Sequence, residues 1–144
     1  MSAAGLSGLP LLRALDPAAR ERLEDCLERT QLAPRSALFR EGDESDGVIW
    51  IAGGRIRAWS SRDEPVELGR GALIGAISLV VAGKRRFSAD AVAPTQVLKL
   101  RRAAFQELVQ RAPRVACQLL AALLADQAEL FEEALNELAS RARP

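Results

Sequence analysis

The stretch GALIGAISLVVAGKRRFSADAVA, residues 71–93, contains the residue types that bind a phosphate. Gly71 and Gly75 carry no side chain, so a ligand can approach their backbone closely. A short helix after Gly75 would offer unpaired N–H groups to an anion, and Arg85 would add a forked guanidinium. Ser88 would add a hydroxyl. Periodicity alone also allows the apolar run to form a strand, and this alternative stays open.

The composition limits the other chemistry that the chain can perform. Its 144 residues carry a formal net charge of +1, so no large cationic surface indicates DNA binding. The chain has no histidine and two cysteines, which excludes His-dependent triads, His zinc sites and Cys₄ clusters. We predict no enzymatic activity, no metal and no cofactor. We expect Cys26 and Cys117 to be reduced thiols.

The hydropathy pattern bears on membrane association and cellular location. The sequence has no uncharged apolar run of about 18 residues, so we predict no membrane span. Its first residues lack the basic and apolar regions of a signal peptide. We therefore predict a cytoplasmic protein that does not contact a membrane.

Helical signals mark the beginning of the chain. Asp16 is a good N-cap and Pro17 suits the first helical position, so we predict a helix at about 17–30. Four leucines before it indicate another short helical turn: Leu9, Leu11, Leu12 and Leu15. Residues 1–32 are thus predicted to form N-terminal helices.

The sequence of residues 33–101 predicts a β structure. Short strand-like runs alternate with Gly- and Asp-containing turns: SALFRE, VIWIAGG, RIRAWSS, VELGRG, FSADAVA and QVLKLR. Such spacing favours a compact antiparallel barrel or sandwich. The run RIRAWS alternates basic and apolar residues, as a half-buried strand does.

In residues 102–144, apolar residues recur at helical spacing, which predicts helices. A short helix should end near Pro113, and a long helix without Gly or Pro should follow. One stripe of the long helix has coiled-coil-like spacing: Leu120, Leu124, Gln127, Phe131, Ala134 and Leu138. The stripe either packs on the β structure or pairs with a second subunit. We predict a homodimer through this helix, and the first alternative stays open.

The order and spacing of these pieces resemble the cyclic nucleotide-binding domain family. This β-roll is shared by catabolite activator proteins, kinase regulatory subunits and cyclic-nucleotide-gated channels. The resemblance runs from Leu9 to about Phe131 and includes LFREGDESDGVIWIAGGRIRAW and a segment similar to the family's phosphate-binding cassette, residues 71–88. It implies one domain over residues 1–144. The fold would be α+β and mainly β: a double-stranded β-helix or jelly-roll β-roll with N-terminal helices and a long C-terminal helix.

The resemblance assigns roles to residues of the cassette (residues 71–88). Gly75 matches its glycine, but Ala76 replaces the glutamate that usually binds the ribose 2′-hydroxyl. Arg85 matches the arginine that pairs with the cyclic phosphate, and Arg86 is the alternative if the loop is one residue longer. The backbone amides of Ile77 and Ser78 can also serve the phosphate, and Ser88 fits the following strand.

Two departures weaken the predicted site. A hydrogen bond to a charged group contributes about 1.5–3 kcal/mol, so Ala76 costs about ten- to a hundred-fold in affinity. Arg86 and Phe87 replace small residues, and the ring of Phe87 can narrow the pocket.

The resemblance implies a small regulatory module that binds cAMP or cGMP at the cassette, at reduced affinity. It would signal through its C-terminal helix, with Leu130 or Phe131 as a lid, to an unidentified protein partner. No helix-turn-helix module follows the long helix in this sequence, so we expect a stand-alone domain that does not bind DNA. Two alternatives stay open. The site could bind another small anion, or the chain could be a degenerate, ligand-free β-roll that acts as a dimerisation or protein-interaction module.

Overall fold

The computed structural model describes residues 15–142, without the side chains of 129–131, 133, 134, 137 and 142. Helix α1 spans Pro17–Cys26. The strands that follow are β1 (Glu28–Leu32), β2 (Ala37–Phe39), β3 (Glu44–Ser45), β4 (Gly47–Gly53), β5 (Arg55–Trp59), β6 (Val66–Gly69), β7 (Leu73–Ile74), β8 (Gly83–Lys84), β9 (Ser88–Ala91) and β10 (Thr95–Arg101). A 3₁₀ helix, Ala76–Leu79, lies between β7 and β8. Helices α2 (Arg102–Arg111) and α3 (Pro113–Ala142) complete the order.

Helix α1 begins where its capping residues predict. The Ala19 N–H donates to Asp16 Oδ1 at 2.7 Å, and this bond lowers the pKa of the Asp16 carboxyl. The predicted helix at 17–30 is wrong at its end, because α1 stops at Cys26 and residues 28–32 form β1. Backbone pairing with β10 fixes this strand, since its own side chains are almost all exposed. The other leucines of the predicted preceding turn lie outside the described residues.

The strands form two four-stranded antiparallel sheets and one small ribbon. Their orders are β1-β10-β4-β7 and β2-β9-β5-β6, and the ribbon pairs β3 with β8. This arrangement confirms the predicted mainly-β roll. Strand β4 is buried on both faces, so it separates two apolar clusters. Trp50 faces the cluster under the helices, while Ile49 and Ile51 face the cluster inside the roll.

The long C-terminal helix is confirmed, and its two halves differ. Its first half packs on α1, α2 and the roll through Ala116, Leu119 and Leu123. The described side chains beyond Leu123 are mostly exposed. Of the predicted apolar stripe, Leu120 therefore packs on the cluster under the helices, whereas Leu124 is exposed. Within the described residues, no helix has the length and apolar character needed to cross a bilayer.

Candidate functional site

The backbone of the cassette turns sharply at Gly75. This residue has φ 72° and ψ 41°, the left-handed conformation that favours glycine, and it begins the 3₁₀ helix. The predicted short helix after Gly75 is present as a 3₁₀ helix of four residues, and the alternative of a strand is wrong here. The β-branched Val80 and Val81 follow it and disfavour further helix. The Ser78 N–H donates to the Gly75 carbonyl at 2.9 Å, so this amide is already bonded.

Arg85 is held in place by its backbone and its side chain. Its N–H donates to the Asp43 carbonyl at 2.7 Å, which extends the β3–β8 ribbon by one bond. Its side chain is buried, and Nη2 donates to the Gly47 carbonyl at 3.2 Å. The guanidinium carbon lies 4.6 Å from the centre of the Phe39 ring, a cation–π distance. Burial lowers the pKa of Arg85, although an arginine stays charged in proteins.

Gly75 and Arg85 are in direct contact. A Cβ atom placed on Gly75 would lie 2.5 Å from Arg85 Nη1, closer than Cβ atoms come to their neighbours in real structures. The glycine is therefore needed for its backbone angle and for the space that the guanidinium occupies. The structure brings together the two residues that the sequence predicts as the centre of the site.

A cavity of about 310 Å³ lies at this point and is called the cassette cavity below. Five of the predicted site residues line it: Gly75, Ile77, Ser78, Arg85 and Arg86. Its other lining residues are Ser45, Ile74, Val81, Ala82, Gly83, Lys84 and Phe87. Three cations and no carboxylate occur among these described residues. The cavity is therefore suited to an anion.

Two predicted site residues do not line this cavity. Ala76 packs against the apolar cluster under the helices, so its side chain faces the core. Ser88 is buried, and its Oγ accepts a hydrogen bond from the Glu41 N–H at 2.9 Å. The structure thus gives Ser88 a part in holding the turn before β3. The side chains of the predicted lid, Leu130 and Phe131, lie outside the described residues.

Phe87 forms part of two cavities. It lines the cassette cavity and a second cavity of about 220 Å³, whose other lining residues are Ala58, Trp59, Ser60, Asp63, Glu64, Val66 and Leu68. Its ring packs edge to face on Phe39, with ring centres 5.3 Å apart. Phe39 therefore lies between Arg85 and Phe87, and the three side chains support one another.

Arg102 does not line the cavity but bonds to two residues that do, and it was not predicted from the sequence. Its Nη1 donates to the carbonyls of Ser45 at 3.0 Å and Ser78 at 2.8 Å, so the start of α2 is tied to the 3₁₀ helix. A signal for it exists in the sequence. An arginine in the first turn of a helix opposes the helix dipole, which indicates that it is placed there for another contact.

A second charged cavity lies on the other side of Arg85. This Asp46 cavity has a volume of about 350 Å³ and shares only Arg85 with the described lining of the cassette cavity. Asp46 lies 2.6 Å from Lys99 Nζ, 2.6 Å from Arg101 Nη1 and 3.8 Å from Arg85 Nη2. Partial burial alone would raise the pKa of Asp46, but the hydrogen bond to Lys99 and the charges of Lys99 and Arg101 lower it. Arg101 also pairs with Glu28.

Comparison with known proteins agrees with this geometry. The model of the cyclic nucleotide-binding domain family matches residues 29–112. The cyclic AMP receptor protein of Thermus thermophilus is 33% identical over 148 aligned residues, which cover 93% of this chain and 68% of that protein. The chain spans between 7% and 31% of the length of other curated relatives that it matches.

Solved structures share the fold. The N-terminal domain of a transcriptional regulator from Streptomyces coelicolor superposes with a TM-score of 0.76 at 26% identity, covering 89% of this chain and 95% of that one. A cyclic nucleotide-binding domain from Methylobacillus flagellatus superposes with a TM-score of 0.83 at 20% identity, covering 99% and 85%. From the family match and the similarity to the Thermus receptor, it follows that the chain belongs to the cyclic nucleotide-binding domain family.

Proposed function

We propose that this chain is a regulatory module that binds a cyclic nucleotide, cAMP or cGMP, through its phosphate at the cassette cavity. The observation that carries the proposal is the buried Arg85 guanidinium, which lies against Gly75 in the wall of this cavity. The Thermus relative is named as a cyclic AMP receptor, which supports the same ligand class. The protein binds this ligand without catalysing a reaction, and it acts in the cytoplasm.

The chain is expected to bind this ligand weakly. Ala76 faces the apolar cluster, so position 76 offers no hydrogen bond to a ribose hydroxyl. The phosphate must also compete with the Gly47 carbonyl for the Arg85 guanidinium. The absent carboxylate alone accounts for about a ten- to hundred-fold loss of affinity.

The signal would pass from the cassette to the helices. Arg102 bonds to the Ser78 carbonyl, and α2 packs on α3. A ligand that moves the 3₁₀ helix would therefore change the position of α2 and α3, with Leu130 or Phe131 closing over the ligand. A protein partner would recognise the change. The ligand shifts this equilibrium only by its difference in affinity for the two arrangements.

Calorimetric titration with cAMP and cGMP tests the proposal. Wild-type protein should bind one of them, and Arg85→Ala should lose the binding. Arg85→Lys, which keeps the charge but not the fork, should bind more weakly than wild type. Arg62→Ala, an exposed arginine away from the cavity, is the matched control and should bind normally. Circular dichroism should show that all variants are folded. Absence of heat at millimolar nucleotide would overturn the proposal.

A second candidate function is a ligand-free dimerisation module. Leu124 and Leu138 are 69% and 61% exposed and lie two heptads apart on α3, as in a helix that pairs with a second copy. The double variant Leu124→Glu/Leu138→Glu should then convert a dimer to a monomer in analytical ultracentrifugation. A monomeric wild type would refute this candidate, whatever the outcome of the nucleotide titration.

A further inference from the structure

An apolar groove lies between the 3₁₀ helix and α2, separate from the cavities described above. Its volume is about 360 Å³, and six residues line it: Leu79, Val80, Phe105, Gln106, Val109 and Gln110. Leu79 and Phe105 are buried at its base, whereas Val80 and Val109 are 55% and 43% exposed. Exposed valines beside buried apolar side chains are typical of a surface that a partner covers. This groove is called the α2 groove below.

The distal half of α3, residues 124–142, carries a second uncovered apolar face. Leu124, Leu135 and Leu138 are 69%, 49% and 61% exposed. Leu135 follows Leu124 by eleven residues, about three helical turns, and Leu138 follows three residues later, so the three leucines share one face of the helix. A helix with apolar anchors on one face is a typical occupant of an apolar groove.

The distal half of α3 does not reach the α2 groove of its own chain. Helix α3 begins at Pro113, directly after α2, and its first half packs on the roll through Ala116, Leu119 and Leu123. Residues 124–142 therefore extend about 28 Å beyond that packed half. No Gly or Pro follows Pro113 within α3, so the helix has no break at which it could turn back onto α2. A second copy of the chain can supply the occupant.

Charge favours the α2 groove over a second α3 as the partner of this face. Residues 124–140 carry five carboxylates and no Lys or Arg, so two such helices side by side would repel each other. Residues 101–114, which include α2, carry four arginines and one glutamate. Arg111 and Arg114 are exposed where α2 ends, and the Arg111–Glu107 pair is exposed and therefore weak. The acidic helix and the basic α2 surface are complementary.

We propose that the chain forms a reciprocal homodimer in which the distal half of α3 of each copy lies in the α2 groove of the other. The same contact made in both directions gives a closed dimer with two-fold symmetry. The leucines of α3 cover Val80 and Val109, and its carboxylates lie beside the arginines of α2. The inference deepens the second candidate function by naming the opposing surface, and it does not depend on nucleotide binding.

Sedimentation velocity of two double variants tests this dimer. Val80→Asp/Val109→Asp, the groove variant, places carboxylates where the acidic helix docks. Leu135→Ser/Leu138→Ser, the helix variant, removes two apolar anchors. Each should raise the dissociation constant of the dimer about a hundredfold or more, because apolar contacts are lost at both copies of the contact. Circular dichroism should show that both variants are folded.

A mixture of the two variants distinguishes the reciprocal dimer from pairing of two α3 helices. The groove variant keeps an intact α3 and the helix variant keeps an intact groove. An equimolar mixture should therefore form heterodimers, through one intact contact, at concentrations where each variant alone is monomeric. The wild-type dimer should also weaken as NaCl concentration rises, because salt screens the attraction between helix and groove. Val66→Asp/Val92→Asp changes two exposed valines of the roll and, as the matched control, should dimerise like wild type.

The other outcomes overturn the inference. A groove variant that remains dimeric overturns it and leaves the second candidate function standing, with α3 pairing as the dimer contact. A dimer that strengthens with salt, or a mixture that stays monomeric, also overturns it. A monomeric wild type overturns both the inference and the second candidate function. Nucleotide binding is tested separately by the titration with Arg85→Ala, so its failure is distinguishable from all of these results.

Discussion

The two cavities that meet at Arg85 differ in charge balance. The Asp46 cavity is lined by four carboxylates and three cations, whereas the cassette cavity is lined by three cations without a carboxylate. In the first, Asp46 accepts from Lys99 and Arg101 at 2.6 Å each. In the second, Lys84 and Arg86 have no such partner among the described residues.

The difference separates charge that supports the fold from charge that is available to a ligand. Lys99 and Arg101 are ion-paired with Asp46 at 2.6 Å each, so an incoming anion would have to replace that carboxylate. Unpaired cations on a cavity wall lose only water. Arg85 belongs to both cavities, since it lies 3.8 Å from Asp46 and also lines the cassette cavity.

Gly75→Ala should have the largest effect. An alanine at φ 72° is strained, and its Cβ would lie 2.5 Å from Arg85 Nη1. We expect a loss of about 1–3 kcal/mol in the free energy of unfolding, together with loss of anion binding. Urea denaturation and calorimetric titration measure the two effects. Gly69→Ala, at a glycine whose Cβ would meet nothing within 4 Å, is the control. An equal loss in both variants would contradict the assigned contact.

The sequence was sufficient to predict the features that depend on local chemistry. The caps at Asp16 and Pro17 begin α1, and Pro113 separates the last two helices, as expected. The alternating runs predicted the strands of the roll. A tight turn and a forked cation are the groups that an anion site needs, so the sequence predicts Gly75 and Arg85 as its centre, and the structure places the two residues against each other.

The features that the sequence missed depend on contacts between distant segments. Strand β1 has a polar sequence without alternation, and only its pairing with β10 makes it a strand. Ala76 and Ser88 were expected at the site, but the direction of each side chain follows from the turn geometry. Arg102 was missed because its partners, the carbonyls of Ser45 and Ser78, are far away in the sequence.

The acid stability of the fold should depend on Asp46. Its pKa is lowered in the folded protein, so ionised Asp46 stabilises the fold above the ordinary value of 3.8, and this stabilisation is lost as pH falls through the lowered pKa. Asp46→Asn should lower the free energy of unfolding by up to about 1 kcal/mol at pH 7, because the carboxylate is partly exposed and screened.

Urea denaturation between pH 2 and 7 measures this effect. The difference between wild type and Asp46→Asn should be constant near neutral pH and should vanish in strong acid. Asp25→Asn, at an exposed carboxylate on α1, serves as the control. A difference that persists unchanged at pH 2 would show that Asp46 acts through packing rather than charge.

The smallest effect, and the one of opposite sign, is expected for the unpaired cations. Lys84→Gln/Arg86→Gln breaks no ion pair with a described residue and removes repulsion between neighbouring charges. The free energy of unfolding should therefore rise by about 0.2–0.5 kcal/mol. Lys99→Gln/Arg101→Gln removes the same charge but leaves Asp46 without these partners, so it should lower stability. Urea denaturation of the two double variants at low salt gives the comparison directly. Equal losses would mean that Lys84 and Arg86 also support the fold, and their availability to a ligand would then be refuted.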